Sequence, residues 1–270
     1  MSATTLDEGL GPTLRVWRER RRLSQLALAL DAGVSARHLS FIETGRSKPG
    51  REVLLRITEC LELPLRERNQ VLLAGGYAPA FPERSLDDPA LASLRESLNV
   101  ILTAHEPFPA MVVDRHWDIV AANAAMIVLW PEVDPSLLEP PVNAMRVGLH
   151  PKGLARSIVN LAETRAYFLG RLERQVALTG DPALVTLRDE VAGYPSPEGE
   201  LQPRAAPDAQ PIITPQIRVR RPDGTELSFF ATVLTFGSAV EVTASELSIE
   251  LAFPADARTA DTLRGSSREQ

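Results

Sequence analysis

The residues whose types and spacing point to chemistry in this 270-residue chain lie between Ser35 and Lys48. In "VSARHLSFIETGRSKP", Leu39 and Ile42 recur at helical spacing and form the apolar face of a short helix. Phe41 lies at the edge of that face, and the residues on the opposite, outward face are Ala36, Arg37, Ser40 and Thr44. Guanidinium and hydroxyl groups on an exposed helix are the groups that bond base edges. These positions can therefore enter a major groove.

Two preceding helices are expected to position this one. "LGPTLRVWRERRRLSQ" predicts a first helix with Leu14 and Trp17 on one side. A second helix begins at Gln25, is capped by Ser24, and ends at Gly33, where glycine permits a positive φ. Its side chains expected to be buried are Leu26, Ala29 and Leu30.

The spacing across the second and third helices is that of a helix-turn-helix. It involves Ala29, Gly33, Val34, Leu39 and Ile42. Two later helices, "REVLLRITECLEL" and "PLRERNQVLLAGGY", are expected to complete a five-helix core with Leu54, Ile57, Leu61, Leu65, Val71 and Leu72. The sequence therefore predicts an all-α first domain.

Charge separates this first domain from the rest of the chain. Residues 10–75 contain 12 Lys and Arg against 7 Asp and Glu, whereas the remaining residues contain 17 against 28. A basic module on an otherwise acidic chain of net charge −6 is typical of a protein in which one part contacts a polyanion.

Several function classes lack their usual signals. The single cysteine, Cys60, excludes an intramolecular disulfide framework and a cysteine zinc site. A secretory signal and a long apolar run are both missing, which predicts a cytoplasmic protein. Nucleophile-elbow, phosphate-loop and metal-spaced histidine motifs are absent, and Asp114, His116 and Asp118 surround a predicted hairpin turn. An enzyme is therefore not predicted.

The second half of the chain has strands at both ends and helices in its middle. "PAMVVDRHWDIVAAN" predicts strand, turn and strand, and "IRVRRPDGTELSFFATVLTF" predicts a hairpin around the Pro-Asp-Gly turn at 222–224. "ELSIELAFPAD" predicts a final strand. This order indicates an α+β domain in which helices cover one side of an antiparallel sheet.

The N-terminal stretch from "LRVWRERRRLSQ" to "AGGYAPAF" resembles the Xre/Cro-type helix-turn-helix of repressor-like regulators. "VSARHLSFIETGRSKP" together with "PLRERNQVLLAGGYAP" is similar to the MmyB-like branch of that family. The resemblance implies an interhelical ion pair between Arg18 and Glu43, which makes Glu43 structural.

The same resemblance implies roles for the outward residues. Arg37 and Ser40 would read base edges, and Ala36 would contact a thymine methyl group. Gln25 would bond a phosphate at the start of the second helix, with Ser35 capping the third and His38 near the DNA backbone. Arg46 and Lys48, after the third helix, would hold phosphates. Phe41 departs from the polar residue common at its position, so no base contact is expected there.

The C-terminal half resembles the ligand-binding domain of MmyB-like regulators in "PAMVVDRHWDIVAAN", "LHPKGLARSIVN" and "FGSAVEVTASELSIELAFPAD". Its strand–turn–strand–Asn–helix start is similar to the PAS fold. The family's suspected use of this domain implies an apolar, fatty-acid-like or polyketide-like effector. The apolar residues of this domain fit either a ligand cavity or an ordinary filled core. The candidate lining residues are Met111, Val113, Trp117, Ile119, Met126, Trp130, Phe168 and Phe230.

No cofactor is predicted. His105, His116 and His150 are conceivable haem ligands, but each lies in a predicted loop or turn without a supporting motif. A PAS-type flavin with a reactive cysteine is excluded because Cys60 lies in the first domain.

The sequence thus predicts four regions and one leading function. The regions are a repressor-like helix-turn-helix domain at 10–81, a linker and connecting helix at 82–104, a PAS-like ligand-binding and dimerisation domain at 105–256, and a disordered tail at 257–270. The leading function is a homodimeric, operator-binding transcriptional regulator without membrane contact. A ligand-independent, antitoxin-like repressor with a protein-interaction domain is the alternative.

Overall fold

The computed structural model describes residues 9–129, 132–195 and 216–266, which divide into two compact units. The first unit contains residues 9–85 together with 175–182 and 237–245, and the second contains the other described residues. The predicted fold class, a helical domain followed by an α+β domain, is confirmed.

Five helices form the core of the first unit. They are α1 (Leu10–Arg20), α2 (Gln25–Asp31), α3 (Ala36–Glu43), α4 (Arg51–Cys60) and α5 (Leu65–Ala74). Ser24 and Ser35 cap α2 and α3 by accepting hydrogen bonds from the backbone N–H of Ala27 (3.0 Å) and His38 (3.1 Å). Gly33 has a φ of 62°, which lets the chain turn between these two helices.

The apolar face of α2 is shifted from the predicted one. Leu28 and Ala29 are fully buried against the other helices, whereas Leu26 and Leu30 are 70% and 79% exposed. Ala29 alone of the three residues predicted to be buried is buried, because α2 turns its Leu28–Ala29 edge to the core. Of the other apolar residues predicted for the helix-turn-helix core, Leu39 and Ile42 are buried and Val34 is partly buried.

A close backbone contact fixes α3 against α1. A methyl group on the α-carbon of Gly11 would lie 2.7 Å from the carbonyl oxygen of Ile42 and would also overlap that of Glu43. Because both obstacles are backbone atoms rather than flexible side chains, the two helices can adopt this distance only when residue 11 is glycine.

Most elements after residue 85 build the second unit around one sheet, and only residues 175–182 and 237–245 of this part belong to the first unit. In chain order they are α6 (Ala92–Ala104), β1 (Ala110–Val113), β2 (Ile119–Ala122), a 3₁₀ helix (Ala124–Leu129), α7 (Ala144–Leu149), α8 (Leu161–Thr179), α9 (Pro182–Ala192), β3 (Gln216–Arg220), β4 (Glu226–Thr235), α10 (Val242–Glu246), β5 (Ser248–Pro254) and α11 (Ala257–Ser266). The five strands pair antiparallel in the order β2-β1-β5-β4-β3.

Helices lie against both faces of the sheet, not one face as the sequence predicted. Leu98 and Leu102 of α6 pack on the face that carries Ala110, Val112 and Ile249. Side chains alternate along a strand, so Met111 lies on the opposite face, where α7 and α8 supply the neighbouring side chains.

The disordered tail predicted at 257–270 is wrong for residues 257–266. These residues form α11, and its Leu263 is buried against Leu227 and Phe229 of β4. Residues 267–270 lie outside the described part of the chain. A helix of this length is marginal by itself, and burial of its Leu263 against a strand that is distant in sequence stabilises it, which local sequence does not reveal.

Replacing Gly11 by alanine is expected to lower the stability of the first unit. The added methyl group must push α1 away from the carbonyls at the end of α3. This displacement is expected to lower the free energy of unfolding by about 1–3 kcal/mol, which outweighs alanine's better helix propensity. Differential scanning calorimetry should show a lower Tm. The control is Gly148→Ala in α7, where the added methyl group meets nothing within 4 Å and the Tm should not fall. An unchanged Tm for Gly11→Ala would show that the α1–α3 contact is not constrained.

Candidate functional site

The outward helix α3 is anchored by a buried carboxylate. Arg18 of α1 donates from Nε to Glu43 Oε1 (2.7 Å) and from Nη2 to Oε2 (3.0 Å). Gln25 of α2 donates from Nε2 to the same Oε2 (2.8 Å), and Arg18 Nη1 reaches the carbonyl oxygen of Leu23 (2.8 Å). Three helices therefore converge on one carboxyl group.

The side chains of this cluster are buried, so their hydrogen bonds are shielded from water and each charge needs its partner. Arg18 and Glu43 are only 8% and 6% exposed, so each would carry a large desolvation cost without its partner. Hydrogen bonding to Glu43, helped by its negative charge, raises the pKa of Arg18 above its ordinary value even though burial opposes the charged form. The pair that the family resemblance implied is present in this geometry, and Glu43 is not available to DNA.

Gln25 has a second role that the sequence did not indicate. One of its amide hydrogens is used on Glu43, so its predicted phosphate contact depends on the other hydrogen of the same nitrogen. Because it lies at the first turn of α2, Gln25 links the anchoring carboxylate to the helix end where a phosphate is expected.

Arg37 is exposed on the free face of α3, and its guanidinium lies over an aromatic ring. Its Cζ is 5.3 Å from the centre of the Phe41 ring, one helical turn further on. Such a contact at an exposed site contributes about 0.5–1 kcal/mol and restricts where the guanidinium can point. Phe41 therefore supports Arg37, a role that the i, i+4 spacing of the two residues could have indicated.

The other predicted contact residues lie on the same side or just beyond α3. Ala36, His38 and Ser40 are partly exposed, and Ser35 uses its hydroxyl as the cap of α3. Arg46 and Lys48 are exposed in the segment that follows the helix, with Lys48 Nζ 5.9 Å from the centre of the Tyr77 ring. Thr44 turns its hydroxyl back to the carbonyl oxygen of Ser40 (2.8 Å), so it is a weaker candidate for base contact.

A second candidate site is a cavity of about 130 Å³ inside the second unit. Its wall is almost entirely apolar and comes from the sheet, the 3₁₀ helix, α7, α8 and the segment between them. Five residues predicted from the sequence line it: Met111, Trp117, Ile119, Met126 and Phe168. The cavity thus lies where the predicted inner face of the sheet meets the helices.

Three predicted cavity residues do not contribute to the described wall. Phe229 and Ala231 of β4 line the cavity, so the alternation of side chains sends Phe230 to the other face, where it stacks on Phe253 at 5.4 Å. Val113 is buried outside the cavity, next to a register shift between β1 and β2. Trp130 lies outside the described residues.

Helix α7 supplies cavity residues that the sequence analysis missed. Asn143 caps this helix by accepting from the backbone N–H groups of Met145 and Arg146, and donates to Asp118 Oδ1 (2.8 Å) and the carbonyl oxygen of His116 (2.9 Å). The backbone N–H of Ala144 also donates to the carbonyl oxygen of Trp117 (2.8 Å), which joins the start of α7 to another lining residue. An asparagine before a short apolar run is typical of a helix start and could have indicated α7 from the sequence. The cavity residues that α7 supplies are Ala144, Met145, Val147, Gly148 and Leu149.

Two polar side chains interrupt the apolar wall. Thr164 of α8 is buried, and Glu250 of β5 accepts from Arg171 Nη2 (2.7 Å) and Nη1 (2.9 Å). The Arg171 guanidinium lies 4.5 Å from the centre of the Trp117 ring. Burial works against the charged guanidinium, but the hydrogen bonds and charge of Glu250 prevail and raise the pKa of Arg171.

The three histidines weighed as haem ligands do not line this cavity. His105 contacts the carbonyl oxygen of Ala252 through Nε2 (3.0 Å), and His150 Nδ1 accepts from the backbone N–H of Lys152 (3.1 Å). Across the described ranges, no group of three or more His, Cys, Asp or Glu side chains could hold a metal ion. Nor does any helix in the described part have the length and apolarity needed to cross a membrane.

Comparison with known proteins gives matches for both units. Residues 94–265 match the model of the MmyB-like transcription regulator ligand binding domain, and residues 10–71 match that of a helix-turn-helix domain. No curated protein matches the chain.

Two solved structures are similar in part. The clp gene regulator ClgR from Corynebacterium glutamicum is 25% identical, with coverage of 39% of this chain and 99% of that one and a TM-score of 0.23. An RNA-binding light-oxygen-voltage receptor is 15% identical, with coverage of 98% of this chain and 64% of that one and a TM-score of 0.25.

The family model of the second unit spans well over half of the chain, and the helix-turn-helix model covers the helices that surround Glu43. The chain therefore belongs to the family of MmyB-like transcription regulators, with a helix-turn-helix domain at its N-terminus and a ligand-binding domain after it.

Proposed function

We propose that this regulator binds operator DNA as a homodimer in the cytoplasm, reads base edges through Arg37 and Ser40, and responds to an apolar effector held in the second unit. The observation that carries the DNA half of the proposal is the exposed Arg37 guanidinium on a helix that is fixed from behind by Glu43. A rigid helix with a free polar face is what major-groove readout requires.

The chemistry of the outward face suggests which contact gives most specificity. An arginine near the start of such a helix pairs with O6 and N7 of guanine, which is worth about 1–3 kcal/mol against a wrong base. Ser40, one turn along, and the methyl group of Ala36 would contact neighbouring bases. Arg46, Lys48 and the free amide hydrogen of Gln25 would hold phosphates and set the register.

Homodimerisation follows from the small reading surface. One helix-turn-helix covers about 4–5 base pairs, so useful affinity calls for two copies on half-sites about one helical turn apart. The net charge outside residues 10–75 is negative, with 17 basic against 28 acidic side chains, which disfavours DNA contact there and supports confinement of the DNA to the basic face.

The effector half of the proposal is supported by the composition of the cavity. An apolar cavity of about 130 Å³ is close in size to an engineered cavity of about 150 Å³ that stays dry and binds benzene. A fatty-acid-like or polyketide-like effector would place part of its hydrocarbon there, between the sheet and α7–α8. No catalytic step is proposed for this site.

The ligand-independent alternative is favoured by one observation. Ligand pockets commonly enclose about 300–1,000 Å³, and the cavity here is smaller. A longer effector would have to displace side chains of the wall, whereas a protein-interaction domain needs no such opening. Direct binding of a small hydrocarbon separates the two functions.

Replacing Arg37 by alanine is expected to weaken binding to the selected operator about 5- to 150-fold, because one bidentate base contact is lost. The operator is first obtained by selection from a random duplex library with the wild-type protein. Affinity is then measured by fluorescence anisotropy on that operator and on a scrambled duplex, and the scrambled duplex should show a much smaller change.

The matched control is Arg15→Ala, which removes another exposed arginine, one that lies on α1 and pairs with Glu19. Its operator affinity should stay close to wild type. Equal losses for the two variants, or equal losses of Arg37→Ala on operator and scrambled DNA, would contradict base reading by Arg37.

Replacing Ala231 by leucine is expected to weaken toluene binding at least about tenfold, because three added carbon atoms occupy the cavity from the β4 side. Isothermal titration calorimetry of the full chain gives the Kd. The control Ala192→Leu adds the same volume at an exposed position of α9 and should bind toluene like wild type. Absence of toluene binding to the wild-type protein would favour the ligand-independent alternative.

A further inference from the structure

A buried hydroxyl without a partner lies at the cavity wall. Thr164 is 2% exposed, and its Oγ1 makes no hydrogen bond to any group of the described chain. The usual partner for a threonine within a helix is the carbonyl oxygen four residues earlier, here that of Asn160, which accepts from the backbone N–H of Thr164 (3.1 Å) and not from its hydroxyl. The hydroxyl is therefore unsatisfied in a position where it cannot reach bulk water.

This arrangement is unfavourable unless something binds the hydroxyl. An unpaired buried hydroxyl lowers stability, and valine would fill the same space without that loss. Because the β-carbon of threonine carries both the methyl group and the oxygen, a step between staggered rotamers can turn either one towards the cavity that Thr164 lines. An oxygen of a bound ligand is the partner that this position can take.

The charges at the wall exclude one common kind of ligand oxygen. Glu250 is the one ionisable side chain among the described lining residues, and it is 7% exposed. Both of its oxygens already accept from Arg171, so the charges of these two side chains neutralise each other. A carboxylate ligand would enter an apolar space beside an existing carboxylate, with no cationic side chain among the described lining residues to bind it.

We propose that the cavity selects a ligand with a single neutral hydrogen-bonding oxygen, a hydroxyl or a ketone on a hydrocarbon frame, that is bound by Thr164, and that it rejects the corresponding carboxylate. This proposal rests on the proposed effector function and specifies the class of ligand within it. Among the apolar effectors considered, it favours neutral polyketide-like compounds over ionised fatty acids.

Three probes of similar size separate the contributions. Toluene and phenol differ by a methyl group in place of a hydroxyl, and benzoate carries a charge at neutral pH. Their rings match a cavity of about 130 Å³. Each is titrated calorimetrically into the full chain and into the Thr164→Val and Thr164→Ser variants at pH 7.

The wild-type protein is expected to bind phenol at least about tenfold more tightly than benzoate, since no cationic side chain among the described lining residues compensates the buried charge. Thr164→Val should weaken the binding of phenol about 3- to 10-fold and leave the binding of toluene unchanged or tighter. Only phenol loses a hydrogen bond in this variant. Thr164→Ser keeps the hydroxyl and should retain phenol binding.

The possible failures are distinguishable. If toluene binds but Thr164→Val changes phenol and toluene equally, or if benzoate binds more tightly than phenol, the proposed selectivity is overturned while the effector function stands. If none of the three probes binds the wild-type protein, the effector function fails and this proposal fails with it.

A ligand-free measurement tests the unsatisfied hydroxyl by itself. Thr164→Val is expected to raise the Tm by about 2–4 °C, since a buried polar group without a partner is removed. The matched control is Thr259→Val, where the buried hydroxyl accepts from the backbone N–H of Ser228 (3.0 Å) and its removal should lower the Tm. A fall in Tm for both variants would show that Thr164 already has a partner and would overturn the proposal.

Discussion

The buried carboxylate of Glu43 is the constraint on which the DNA-facing surface depends. Three donors from Arg18 and Gln25 converge on it, and Gly11 lets the backbones of α1 and α3 touch at the same point. Any tilt of α3 would separate the buried Glu43 carboxylate from its partners. Complete loss of such a buried pairing lowers stability by about 3–5 kcal/mol. The outward face of α3, which carries Arg37, is therefore held in one orientation.

A second buried arginine–glutamate pair, Arg171 and Glu250, lies at the cavity in the other unit. Glu250 and Arg171 lie in a similarly dry environment, yet they join a strand to a helix at the wall of a cavity. Because Arg171 pairs with Glu250, the carboxylate at the cavity wall does not present an uncompensated negative charge to the cavity. The same bidentate geometry thus fixes a helix in one unit and sets the polarity of a cavity wall in the other.

Local patterns in the sequence were sufficient for α3 and insufficient for much of the cavity. Leu39 and Ile42 lie one turn apart, so their shared face and the outward position of Arg37 follow from helical periodicity alone. Leu26 and Leu30 obey the same periodicity but are exposed, because the core contacts the edge of α2 that carries Leu28. Phe229 and Phe230 are adjacent, and which of them faces the cavity depends on the pairing of β4 with β5, a long-range property. Thr164 was missed since a missing partner is visible only once every neighbour is placed.

The two polar groups at the cavity wall carry more information about the ligand than the apolar residues around them. A hydrocarbon wall distinguishes ligands by about 1–3 kcal/mol per methylene group, so it accepts many molecules of similar size. A buried hydroxyl discriminates more sharply, because a ligand without a matching oxygen leaves that hydroxyl unpaired. A buried, already neutralised carboxylate adds a penalty for anions that size cannot supply. For the proposed effector, selectivity would therefore be set by desolvation and hydrogen bonding, in a cavity whose shape alone would be permissive.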